Sequence, residues 1–447
     1  MTRGFMSIAD KNIRLISCLK NKKSFAFFIV FFSFLHSCAL LMRGFWDDPV
    51  DLNVQKTLNS NVQSKGCSQE KMTSNLKEIL YESHEEDKYL SQLIGSGSFF
   101  NQNDNLFDRF FKLILVHHIF FPHRYDFHSN WQIFFSDPAK TLYIEFPVGQ
   151  TISKLDSILL VMTWLKNLNE LSKPLNQLID EVEQSIPTNI PITHSYANYI
   201  QVNKSIMVKR EEFQNVFRAA EPIISGENYR RGRIIKLKSS WESFRTAKER
   251  TSYLEKIKSV DLKSNQKYCN FDLELYTKGQ FRLVKETIES KGFVLSDSKR
   301  SLTLISTNSW NFNDSNTESM SSNLWSKYFA SFCFFPNQKI GPIGVFSLLG
   351  RDSAQFLHHL NQYEIEKVGS VSDLEYMLDF SRHQIFTNPI RVGIESKKSS
   401  KRQLQEILKL NVPIFHADSL GHLMTVLPSK KYIGDKRYYW NKACYTH

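Results

Sequence analysis

Residues 24–42 run SFAFFIVFFSFLHSCALLM, nineteen positions without a formal charge between Lys23 and Arg43. As a helix such a run is long enough to cross the hydrocarbon layer of a membrane. Lys20, Lys22 and Lys23 crowd its N-terminal flank, whereas Asp47, Asp48 and Asp51 follow it with only Arg43 nearby. By the positive-inside rule the N-terminus stays cytosolic and the rest of the chain crosses over. A cleaved signal peptide is the competing reading, because Ser37 and Ala39 have the small side chains that cleavage after Ala39 requires. Both readings put the body on the non-cytoplasmic side. The expectation is a single-pass type II protein of the endoplasmic reticulum or Golgi, or of a bacterial inner membrane with its body outside the cytoplasm. An unbroken apolar run argues against an amphipathic mitochondrial presequence.

Beyond the run, 41% hydrophobic and 13% aromatic content over 447 residues suffices for a substantial core and excludes a disordered chain. The net charge of +12 is concentrated in part ahead of residue 24, where six basic side chains face Asp10 alone. The modest excess left on the body reads as a solvated surface, and no nucleic acid partner is expected. Cys67, Cys269, Cys333 and Cys444 allow three complete disulfide pairings. Asn203 and Asn313 head glycosylation sequons, the second in a polar stretch expected as a surface loop.

The organisation reads as a cytosolic tail (1–23), an anchor (24–42), a polar stem (43–75), an N-terminal domain (76–330) and a C-terminal α/β domain (331–447). A charged helix is expected over 76–93, a buried strand over 113–116, and a half-buried strand over 141–146. A long helical region over 153–185 breaks near Pro174. Further on, a helix over 283–290 precedes strands at 293–295 and 302–305. Strands at 344–349, 365–368, 384–387 and 412–415 then alternate with helices at 352–362, 373–381 and 401–410. Strands alternating with helices at this spacing predict a parallel sheet with crossover helices.

The segments VGSVSDLEYML (368–378), IFTNPIRVG (385–393), KRQLQE (401–406) and NVPIF (411–415) resemble the donor-binding domain of GT-B glycosyltransferases. The shared pattern is a G-x-V-x-D-L segment before a helix, a strand ending in P-x-R-x-G, and a Lys/Glu helix leading to a V-P strand. The resemblance implies an α/β fold of two Rossmann-like domains behind a transmembrane helix. It implies transfer of sugar from a nucleotide-sugar donor, as substrate and with no cofactor, to a glycan, lipid or protein acceptor. Lys401 and Arg351 would meet the diphosphate, Arg391 and Gly393 would border the sugar, with Gly393 letting backbone approach closely, and Glu406 would meet the ribose. Catalytic residues are not identified by it. The alternative is a non-catalytic, membrane-anchored α/β interaction protein of the secretory pathway.

No metal site is expected. His117, His118, His123, Asp126 and His128 cluster in sequence, but the spacing fits no defined ligand motif and Pro122 interrupts any helical face. Asp-x-Glu pairs of the kind that hold a divalent cation occur at Asp272/Glu274 and Asp373/Glu375, and the second reads as helix-start carboxylates that favour the dipole without metal. G-x-S-x-G, H-E-x-x-H and P-loop lysine motifs are missing, which removes support for those hydrolase, protease and nucleotide-hydrolase classes.

Overall fold

The computed structural model describes residues 77–82, 93, 99–121, 129–146, 157–186, 237–244, 246, 254–255, 257–274, 288–297, 299–309, 330–348, 352–387, 390–395, 398–417, 419–427, 432–435, 437 and 440–445. The expected anchor over 24–42 lies outside them, as do Arg351, Asn203 and Asn313. Among the described residues no helix is long and apolar enough to cross a membrane.

In chain order the elements begin with β1 (Lys77–Glu82), α1 (Leu106–Phe120), β2 (Asn130–Ser136), β3 (Thr141–Phe146), α2 (Ser157–Leu168) and α3 (Leu175–Ser185). β4 (Lys258–Asp261), β5 (Tyr268–Cys269), β6 (Ile288–Ser296), β7 (Ser301–Ser309), β8 (Ser331–Phe335) and β9 (Ile343–Ser347) follow. After α4 (Ala354–Gln362) and α5 (Val371–Leu378) come β10 (His383–Thr387), β11 (Ile390–Glu395), α6 (Lys401–Leu408) and β12 (Ile414–Ala417). β13 (Leu423–Val426), β14 (Tyr432–Gly434) and β15 (Trp440–Tyr445) end the series.

These strands form a seven-stranded sheet in the order β15-β1-β6-β7-β2-β3-β4, a five-stranded sheet β14-β13-β9-β8-β5, and a three-stranded sheet β10-β11-β12. The two larger sheets are antiparallel throughout, and the β11–β12 pair is parallel. The expected pair of Rossmann-like domains is therefore corrected: a doubly wound parallel sheet is not what forms. The physical reason is visible in the connections. Between β6 and β7, Asp297 Oδ1 accepts the backbone N–H groups of Lys299 and Arg300, both at 2.7 Å. Asp137 does the same for Ala139 and Lys140 between β2 and β3, again at 2.7 Å. Such tight aspartate-built turns return the chain antiparallel, whereas a parallel crossover needs about a dozen residues.

Side-chain alternation then sets the layers. Ile133, Phe135, Ile144, Phe146, Phe293, Leu295, Leu302 and Leu304 point from the seven-stranded sheet into one core with α1, α2 and α3. Cys333, Phe335, Ile343, Val345 and Leu423 point from the five-stranded sheet into a second core with α4 and α5. The remaining faces meet each other: Tyr143 stacks on Phe332 with ring centroids 4.4 Å apart, and Phe134 lies 5.9 Å from Phe332. The result is a helix-sheet-sheet-helix sandwich.

Several local expectations are corrected by packing. Residues 113–116 lie inside α1, whose every residue is buried, so its apolar run belongs to a helix covered all round. Asn105 caps this helix by accepting from Asp108 N–H at 2.9 Å while Asp108 returns the bond to Asn105 N–H. Residues 77–82 are a strand, and 365–367 a short 3₁₀ turn. Residues 288–290 begin β6 instead of ending a helix. The strand at 141–146 and the helices on either side of Pro174 form as expected.

Candidate functional site

The inter-sheet layer holds a polar seam among its aromatic rings. Along one rung of the seven-stranded sheet, Asn130 of β2 stands opposite Thr307 of β7, which stands opposite Ser290 of β6. Two residues along, and so on the same face, Lys258, Glu145, Gln132, Ile305 and Gly292 form the next rung. The hydroxyls of Ser290 and Thr307 lie 3.0 Å apart, and both residues are buried.

Thr307 Oγ1 also accepts the backbone N–H of Ala330, at 3.1 Å, from the residue just ahead of β8. The Ala330 carbonyl accepts from Gln132 Nε2 at 2.9 Å and from Asn270 Nδ2 at 3.0 Å. Asn270 Oδ1 in turn accepts the Phe332 N–H at 2.9 Å. The peptide of Ala330 is thereby gripped at both ends, and it joins the hydroxyl pair of one sheet to the amides that face the other. Tyr143 Oη accepts from Gln132 Nε2 at 2.7 Å and donates to Glu145 Oε1 at 2.7 Å. Complete burial, then the charge of Glu145, raises the Tyr143 phenol well above its ordinary value and keeps it a donor. Gln132 Oε1 is buried without a partner among the described residues, an unused acceptor in this seam.

Beside the seam, the disulfide Cys269–Cys333 joins β5 to β8 at directly opposed positions. It realises one of the pairings that the cysteine count left open.

The residues singled out by sequence lie elsewhere. Arg391 of β11 is held between Phe386 and Phe415, its guanidinium carbon 5.0 and 4.9 Å from the ring centroids. Gly393 leaves space for Phe415, whose Cζ would lie 2.6 Å from an added Cβ. Lys401 opens α6 on an exposed face, and Glu406 pairs with Lys409 at 2.7 Å on the same exposed helix. No contact joins Lys401 or Glu406 to Arg391 among the described residues. His117 and His118 lie buried on α1, where His117 Nδ1 is 2.8 Å from the Leu113 carbonyl and its ring stacks on Phe293. No group of three or more metal-ligating side chains occurs among the described residues. The Ser290–Thr307 pair escaped sequence reading because 283–290 scans as helical and 308 onward as loop. The usable signal was the pattern Ser290-x-Gly292-x-Val294 and Thr303-x-Ile305-x-Thr307 around a four-residue aspartate turn.

An antiparallel sheet-on-sheet sandwich is a class of fold unlike the paired parallel sheets of the GT-B type. No family model matches the chain, and no curated protein matches it. Among solved structures the chain is similar to a cephalosporin acylase from Bacillus halodurans, with 10% identity and a TM-score of 0.50 over 86% of this chain and 99% of the other. Two structures of LmbA forms are similar at 9% and 8% identity, each with a TM-score of 0.50, covering 83% and 85% of this chain. They are covered over 99% and 100% of their own lengths. The likeness shows the fold. It overturns the resemblance to GT-B glycosyltransferases, and with it the fold and the transferase activity that the resemblance implied.

Proposed function

We propose that this protein is an acylase-type hydrolase that cleaves an amide bond with the Ser290 hydroxyl as nucleophile. The observation that carries the reading is the buried Ser290–Thr307 pair at 3.0 Å in the layer between the two sheets. The likeness to a cephalosporin acylase supports it at the level of the fold.

A serine hydroxyl needs a group to take its proton. Among the described residues no imidazole, carboxylate or amine is bonded to Ser290, whose one described partner is Thr307. Hydrolysis of the Glu289–Ser290 peptide bond would consume one water, leave a carboxylate on Glu289 and free an α-amino group on Ser290 itself. That amine would be the base. Attack then forms a bond from Ser290 Oγ to the acyl carbon, breaks the carbon–nitrogen bond and passes the hydroxyl proton through the amine to the departing nitrogen. Water hydrolyses the resulting ester and restores the hydroxyl. Thr307, oriented by the Ala330 N–H, would hold the Ser290 oxygen in place throughout.

An oxidising compartment for the body is part of the same reading, and the Cys269–Cys333 disulfide supports it. Its test is hydrolysis of a panel of N-acyl nitroanilides by the purified chain and by Ser290→Ala. Turnover lost by about a thousandfold or more in the variant is expected. Turnover that survives in Ser290→Ala, or none across the panel with the wild-type chain, overturns the reading.

A further inference from the structure

We infer that the Cys269–Cys333 disulfide is a redox latch that positions the Ser290–Thr307 pair through Asn270 and the Ala330 peptide. The catalytic meaning of the latch rests on the reading above; its mechanics do not.

The chain of contacts is short and continuous. β5 is an edge strand of two residues, and its ladder pairs Tyr268 with Phe334 and Cys269 with Cys333. Asn270, the next residue, donates its backbone N–H to the Phe332 carbonyl at 3.0 Å and accepts the Phe332 N–H on its side chain at 2.9 Å. Its Nδ2 then reaches the Ala330 carbonyl at 3.0 Å, and the Ala330 N–H reaches Thr307 Oγ1 at 3.1 Å. Thr307 is the partner of Ser290.

A two-residue edge strand has little hydrogen bonding of its own with which to keep register. Within it Tyr268 packs on Tyr143 and Phe332, with ring centroids 5.7 and 6.5 Å away, and beside it Asn270 Nδ2 also donates to Tyr143 Oη at 3.0 Å; its remaining ties lie on the flanking residues. Lys267 meets Glu366 at 2.5 Å and Asn361 at 2.8 Å, yet this pair is about one-third exposed and so contributes little. Phe271 packs into the second core one residue beyond Asn270, which keeps the segment docked but does not fix which residue stands opposite Cys333. The disulfide does fix it. It closes a sequence separation of 64 residues, so opening it restores considerable freedom to a strand that carries Asn270. Asn270 is a positioning residue: it touches neither reacting hydroxyl, and acts through Ala330. Reduction takes two electrons and two protons from an external dithiol, which becomes a disulfide as Cys269 and Cys333 become thiols.

The test is residue-resolved hydrogen exchange on the full chain in three states: oxidised, reduced with a dithiol, and as Cys269→Ser/Cys333→Ser without reductant. Exchange of the Ala330 and Phe332 amides should rise about tenfold or more in the latter two states, with α1 unchanged. Asn270→Ala in oxidised protein should raise the same two amides. Reoxidation of the reduced wild-type chain should restore their protection. Unchanged exchange at Ala330, or acceleration spread equally through α1, overturns the latch. Labelling of Ser290 by a fluorophosphonate, followed in parallel, should slow about tenfold in the reduced chain. A chain that is never labelled counts against the hydrolase reading, while the exchange data still decide the latch.

Discussion

Replacing Asp435 by Asn removes one charge from a buried set of four. Asp435 Oδ2 lies 2.6 Å from Arg382 Nη2, and Oδ1 accepts Arg437 N–H at 3.0 Å with Arg437 Nη1 at 3.3 Å. Arg437 also grips Glu395 through Nε at 2.7 Å and Nη2 at 2.6 Å, while Glu395 Oε1 accepts Leu420 N–H at 2.7 Å. Arg382, Asp435 and Glu395 are fully buried and Arg437 nearly so, and the set ties β11 to the segment after β14. Asn preserves the shape but leaves Glu395 as the one buried carboxylate for the two guanidinium groups, with the partly exposed Asp379 3.6 Å from Arg437 Nη1. Breaking a buried pair in this way costs about 3–5 kcal/mol. Urea unfolding followed by tryptophan fluorescence reads it: with a slope of about 3 kcal/mol/M, the midpoint falls by about 1 M or more. Burial pushes the Asp435 carboxyl up, but Arg382 and then Arg437 outweigh it and hold the group well below its ordinary value. Stability from a depressed carboxylate is present above its unfolded value of about 4 and is lost as pH falls toward the folded value. The gap between wild type and Asp435→Asn should therefore narrow between pH 7 and pH 3. A midpoint shift below about 0.3 M, or a gap that widens in acid, refutes the assignment.

Three further outcomes follow from packing and burial. Gly292→Ala would put a Cβ 2.5 Å from the Leu304 carbonyl oxygen and 2.3 Å from Ile305 Cδ1, so the β6–β7 hairpin must shift; a loss of about 1–3 kcal/mol in urea unfolding is expected. His359 of α4 and His383 of β10 have ring centroids 4.2 Å apart, and burial lowers the pKa of both; the charges of His383, His358 and Arg382 add to the effect at His359, and that of His358 at His383. The unfolded chain then binds more protons, so thermal stability should fall as pH drops below about 6.5, and His359→Leu should flatten that dependence in a melting series. Lys112 of α1 is buried against Asp104 and Glu181, each at 2.6 Å, and Lys112→Met should cost about 3–5 kcal/mol by the same unfolding assay.

Much of the element pattern was legible in the chain, and the topology was not. The strand at 141–146 announces itself by alternation, and Pro174 divides α2 from α3 because proline cannot continue a helix. Strand direction, by contrast, depends on turns. The aspartates at 137 and 297 build those turns, and reading 283–290 as a helix hid that 293–295 and 302–305 are the two arms of one hairpin. Pairing at long range is less legible still: β15 closes onto β1, and β5 onto β8, through contacts that no local pattern marks. The candidate site fell in that gap, since Ser290, Thr307 and Asn270 meet only once both sheets are assembled. In the C-terminal region the sequence does not mark the packing that the fold gives these residues: Arg391 lies over the rings of Phe386 and Phe415, and Gly393 lies against Phe415.

Intact-mass analysis with N-terminal sequencing of the purified chain tests the nucleophile assignment most directly. The account predicts a fragment that begins at Ser290, and its absence in Ser290→Ala. A chain that stays uncut ahead of Ser290 and forms no acyl adduct there contradicts it.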